Sequence, residues 1–209
     1  MAYLLILPVA LYITLASMIV QRQPRGLSSY ALAIYLVAVA GATAAYLVLG
    51  TTAKLCSAEI AAVALVLLSS WIYLVFFPLA ILGLYFEQWA GMHWRGLSLG
   101  GGVLMAGVDA VLVWDMAANA DPLVYPLSTG YGLHWILSQT AFSIPLSAGL
   151  LLFSQFPLLV VMWAALRYRH LALWRGVLPL VVCSVLSLLV PLLSPLAGER
   201  WGLTVAALG

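Results

Sequence analysis

One aspartate stands where hydrocarbon is expected. Asp109 lies near the middle of an apolar run at 97–117, where inserting an ionised carboxylate costs roughly 2.5 to 3.5 kcal/mol. That cost must be offset by a ligand, a cation or a proton, or by hydrogen bonds from another helix. Gln155 and Ser154 of a later run are candidate donors. Asp115 and Asn119 are four residues apart near the end of the same run, so they share a helical face, and His134 or Gln139 from the segment that follows can join them. Asp109 and Asp115 are six residues apart, which at about 100° per residue puts them on different faces and argues against a carboxylate dyad. On the preceding run Ser69, Tyr73 and Phe77 form a stripe at helical spacing, with Ser70 and Trp71 beside it. Such a stripe reads as packing or as the wall of a ligand site. The candidate ligand-binding set is therefore Tyr73, Asp109, Asp115, Asn119 and His134, facing a pocket that opens outward between the third, fourth and fifth runs.

Other chemistry has little to stand on. No Ser/His/Asp order, HExxH or paired glutamate motif is present, so no catalytic residue is assigned and the chain is not read as an enzyme. Gly96, Gly100, Gly101 and Gly102 lack the Lys-Ser/Thr of a phosphate loop and are better suited to close helix approach, as are Gly41 and Ala45. Cys56 and Cys183 show no CxxC or Cys/His metal spacing, and the residues name no metal or cofactor. A net charge of +2 with scattered Arg and Lys does not form the basic stripe that nucleic acid requires.

The elements that must position these residues are membrane helices. Of the 209 residues 66% are hydrophobic and only 7% charged, against roughly 25% charged in soluble domains. Apolar runs of about 20 residues match a hydrocarbon core about 30 Å thick, and barrel strands of about 10 alternating residues do not fit them. The fold class is all-α: one polytopic transmembrane bundle over 1–209, with full spans at 3–20, 30–50, 60–86, 97–117, 143–166 and 174–196. An incomplete seventh span at 201–209 suggests a fragment. The first run has no positive leader and is expected to remain as a helix. Pro145, Pro157, Pro179, Pro191 and Pro195 are positioned to kink the last spans. The stretch 118–142, with Asp121, Tyr125, Tyr131 and Trp135, is the largest connection and suits a partly buried cap or an interfacial segment.

Positive charge sets the expected orientation. Arg22, Arg25, Arg95, Arg167, Arg169 and Arg175 fall in the first, third and fifth connections, whereas the others hold only Lys54 and Arg200. Cytoplasmic loops retain positive charge, so the expected arrangement is a multi-pass protein of the plasma (inner) membrane with its N-terminus outside.

In order and spacing, FFPLAILGLYFEQW (76–89), NADPLVY (119–125), YGLHWILSQTAF (131–142) and the RYRH exit (167–170) resemble the N-terminal seven-helix sensory region of bacterial histidine kinases and diguanylate cyclases. The resemblance implies a membrane-embedded input module that detects a small ligand or the membrane state and relays it to a cytoplasmic output domain. It implies membrane lipids, a small-molecule ligand, that output domain and a second copy of the chain as partners, and supplies no binding residue of its own. A non-catalytic subunit of a membrane complex and a small transporter or channel are the competing functions; against transport, no inverted repeat or paired broken helix is found.

Overall fold

Apolar sequence that cannot expose its backbone to lipid satisfies its peptide groups within helices, and helices account for most of this chain. The computed structural model describes residues 6–21, 26–119, 122–129, 132–137 and 143–167, with single positions at 178, 179 and 182. The element order is α1 (Ile6–Gln21), α2 (Leu27–Thr51), α3 (Leu55–Trp71), a π-helical turn (Ile72–Phe76), α4 (Phe77–Tyr85), α5 (Glu87–Asn119), the strands β1 (Val124–Thr129) and β2 (Gly132–Leu137), and α6 (Ser143–Arg167). Three helical stretches are long and apolar enough to cross a membrane: Leu27–Thr51, Leu55–Tyr85 and Ala90–Asn119. Ile6–Gln21 and Leu152–Arg167 are shorter apolar helices. The protein is thus a mostly helical membrane protein, with three such stretches among the described residues in place of the six full spans expected. The expected spans at 174–196 and 201–209 lie outside the described residues, apart from three positions of the first.

The chain divides into two compact units, 1–150 and 151–209. In the first, α2 is the hub and packs against α1, α3, α4 and the π turn. Its contacts are made by small side chains: Ala31, Ala33, Ala38, Ala40 and Ala45 are buried on α2, and Ala58, Ala61 and Ala62 on α3. Lipid gives apolar helices no hydrophobic reason to associate, so close packing through small residues supplies the attraction. A close backbone approach occurs at Gly83 of α4, where a Cβ would stand 3.1 Å from the Ser28 Cα of α2. Gly83→Leu is expected to force these helices apart at a cost of about 1 to 3 kcal/mol. Gly91→Leu, at a glycine with nothing within 4 Å, should leave the unfolding midpoint in detergent nearly unchanged. Equal midpoints for the two variants would show that the α2–α4 approach contributes nothing.

The π turn has a local cause in Pro78, which lies in the first turn of α4. Proline has no N–H and its ring clashes with the carbonyl four residues back. Widening the preceding turn relieves that clash, and the Phe77 N–H now reaches the Ile72 carbonyl, five residues back. Beyond α4 the helix breaks at Phe86 (φ −131°, ψ 43°) and α5 begins at once. Arg95 consequently lies inside α5, on its exposed surface, and not in a connection.

The all-α expectation is corrected at one place. The segment expected to cap the bundle contains an antiparallel hairpin, with Val124 opposite Leu137 and Thr129 opposite Gly132. Val, Tyr, Trp and Ile favour strands, and Pro126 is tolerated because both strands of a two-stranded ribbon are edges. The hairpin docks on the end of α2 and the start of α3. Val124 joins the buried cluster of Leu49, Ala58, Ala61 and Ala62, with Leu65, Leu123 and Trp135 packed against it. The Trp135 indole N–H donates to the Thr52 carbonyl at 2.8 Å, satisfying an acceptor at a helix C-terminus that has no partner within the helix.

Candidate functional site

Asp109 sits on α5 against the last turn of α3. The Trp71 indole Nε1–H donates to its Oδ2 at 2.7 Å, and the Ser70 hydroxyl lies 3.2 Å from its Oδ1. Ser70 is fully buried (1% exposed) and its Oγ is also 2.8 Å from the Leu67 carbonyl. A hydroxyl has one proton to give and two lone pairs to receive. With Asp109 ionised, the Ser70 proton is shared between Leu67 and the carboxylate. With Asp109 protonated, its O–H donates to Ser70 Oγ and Ser70 donates wholly to Leu67. The same heavy-atom geometry therefore accommodates either protonation state, which differ by one proton on the carboxyl and by the orientation of the Ser70 hydroxyl.

These donors come from α3, whereas Gln155 Nε2 donates to the adjacent Ser154 Oγ at 3.0 Å. Trp71 is followed at once by the π turn. Such turns are uncommon and occur frequently at functional sites. An acidic side chain held across two helices at the edge of a widened turn is thus the most distinctive polar feature of the described residues.

The remaining residues of the expected set distribute as follows. Asp115 is buried (1% exposed) and accepts from Asn119 Nδ2 at 2.7 Å, one helical turn on. These two are brought together. Tyr73 is half-buried within the π turn, two residues past Trp71. That separation carries it roughly half a turn round the helix from the indole that meets Asp109. His134 belongs to β2, opposite Leu127 of β1. Of the aromatic stripe, Phe77 packs on the Tyr35 ring of α2 at 5.7 Å between centroids. Ser70 and Trp71, the two donors, were not among the expected ligand-binding residues. Their signal in the sequence was only their type: a hydroxyl and an indole on the run preceding an intramembrane acid.

An open apolar groove of about 200 Å³ lies between α2, the π turn with α4, and α5, and none of the five expected residues lines it. Its walls include Ile34 of α2, Phe76 of the π turn, Leu79 of α4 and Trp94, Gly102 and Met105 of α5. Among the described residues no group of three or more His, Cys, Asp or Glu is placed to hold a metal. Comparison with protein-family models, curated proteins and solved structures finds no match to this chain.

Proposed function

We propose that this chain is the membrane-embedded input module of a bacterial signalling protein, lying in the plasma membrane with its N-terminus outside and passing a change in helix arrangement to a cytoplasmic output domain. The observation that carries the reading is the Asp109–Trp71–Ser70 contact beside the π turn. A sensor needs an element with two arrangements of similar energy that a stimulus can weight differently. A carboxyl that fits in two protonation states, next to a turn one residue wider than its neighbours, supplies such an element. The orientation rests on the six arginines at 22, 25, 95, 167, 169 and 175, and the six-span topology is part of the same proposal. Tyr73, Asp115, Asn119 and His134 remain the proposed outer ligand contacts.

A fusion of the chain to a cytoplasmic histidine-kinase reporter tests this. Asp109→Asn, which keeps the shape and fixes one hydrogen-bonding pattern, is expected to lock output and change basal phosphorylation about fivefold or more, as a coupling of 1 to 3 kcal/mol would. Unchanged output at unchanged abundance would overturn the reading.

One observation favours a second function, that of a subunit in a larger membrane complex. On α5, Gly96, Gly100 and Gly107 have nothing within 4 Å of their Cβ positions, and Val103 and Trp114 beside them are 74% and 66% exposed. Small residues at this spacing admit another helix closely. Co-purification of a distinct membrane polypeptide, lost in Gly100→Leu, would favour this reading.

A further inference from the structure

The geometry points to a lateral site for one acyl chain of an anionic phospholipid of the inner leaflet, in the groove between the π turn and α5. This deepens the input-module reading, on whose orientation the choice of leaflet rests, by naming the stimulus as membrane lipid.

The groove has a direction. On its α5 side it runs from Trp94 through Ser98 and Gly102 to Met105, roughly 16 Å at 1.5 Å per residue. α5 has 33 residues and is about 50 Å long, well beyond a hydrocarbon thickness of about 30 Å. Its apolar part is 97–117, so Trp94 lies at the interface and Met105 within the hydrocarbon. A groove that begins at headgroup level and descends along a helix has the shape of a lipid tail.

Its chemistry agrees. The hydroxyl of Ser98 is turned back to the Arg95 carbonyl of its own helix at 3.1 Å, which leaves that wall apolar. Arg95 is exposed and has no carboxylate partner among the described residues. At about 100° per residue it lies within about 20° of Gly102 around α5, so it stands over the headgroup end of the same face. A guanidinium there pairs with a phosphate, and the tryptophan beside it suits the interfacial level.

The deep end reaches the carboxyl site. Phe76, which lines the groove, meets Trp71 edge to face at 6.5 Å between centroids. Trp71 is the donor to Asp109 at 2.7 Å. A chain entering or leaving the groove therefore acts on Phe76, through it on the indole, and through the indole on the hydrogen bond that joins α3 to α5. Glycine sets the room available. Gly101 brings α5 onto the π turn, with a Cβ position 3.1 Å from Val75 Cγ1, while Gly102 beside it faces open space.

Gly102→Leu should therefore fill the groove without forcing the helices apart. Native mass spectrometry of the detergent-purified chain, with phosphatidylglycerol or phosphatidylcholine added, reads the occupancy directly. The unaltered protein is expected to retain one phosphatidylglycerol in preference to phosphatidylcholine. Gly102→Leu should lower that retention about tenfold and Arg95→Gln about fivefold, while Gly107→Leu, on the opposite side of α5, leaves it unchanged. Thermal melting of each variant identifies any loss that comes from unfolding, and Arg95→Gln, at an exposed position, keeps the test decisive if Gly102→Leu does not fold. Equal retention of the two lipids, equal loss in Gly107→Leu, or full retention in folded Gly102→Leu or Arg95→Gln overturns the site. Occupancy is measured without any output domain, so its failure is distinct from failure of the Asp109 reporter experiment.

Discussion

Trp71→Phe is expected to destabilise the helical unit by about 1 to 3 kcal/mol, the range for removing a hydrogen bond to a charged group or leaving its partner unsatisfied. The substitution keeps a ring beside Phe76 and deletes the indole N–H that lies 2.7 Å from Asp109 Oδ2. Ser70 cannot replace it, because it meets the other carboxyl oxygen, Oδ1, and its one proton is shared with the Leu67 carbonyl. The loss depends on the acid being present. In Trp71→Phe/Asp109→Leu no carboxyl remains to be stranded, and the second substitution is expected to recover at least half of the first one's cost. Reversible unfolding in mixed micelles measures this cycle. Strictly additive losses would mean that the indole acts by packing alone, and the carboxyl contact would then carry no energy.

Val124→Asp is expected to release the hairpin altogether. Val124 is 1% exposed within a cluster of Leu49, Ala58, Ala61 and Ala62, which offers a carboxylate only apolar side chains. An uncompensated buried charge costs on the order of 3 to 5 kcal/mol, more than a short ribbon gains from one face. Undocking lets the aspartate reach water and takes with it the Trp135 bond to the Thr52 carbonyl. Tyr125→Asp is the matched control, since successive residues of a strand face opposite ways and Tyr125 is 42% exposed. Limited proteolysis should cut Val124→Asp between 124 and 137 and spare Tyr125→Asp. Equal cutting of the two would show that the hairpin is not held by this cluster.

Where hydrophobicity alone decides, the sequence locates the elements closely. The expected spans at 30–50 and 143–166 lie within three residues of Leu27–Thr51 and Ser143–Arg167, since apolar length dictates both. The span expected at 97–117 begins ten residues late against Glu87–Asn119. Hydropathy marks the limit of hydrocarbon, whereas EQWAGMHWRG continues the helix through the interface by backbone hydrogen bonding. The hairpin was hidden because aromatic content suggests interfacial residence whether the backbone is extended or not. At the candidate site, the need for a partner to Asp109 could be read from its position in an apolar run. The identity of that partner could not, because Ser70 and Trp71 reach it only through the crossing of α3 with α5, which no local pattern encodes. Tyr73 drew notice from its spacing with Ser69 and Phe77, and the π turn changes the phase of that spacing at Tyr73 itself.

The widened turn at Ile72–Phe76 also makes this stretch sensitive to chain length. It stores the equivalent of one inserted residue, so the faces of α3 and α4 are out of step by about 100°. That offset allows Ser70 and Trp71 to address α5 while Gly83, two to three turns later, addresses Ser28 of α2. A one-residue deletion inside 72–76 would merge the two into a regular helix and bring the faces into step, so that only one of the two neighbours could still be met. Length polymorphism here would thus act as a choice between interfaces, an outcome that no single side-chain replacement in the same stretch reproduces.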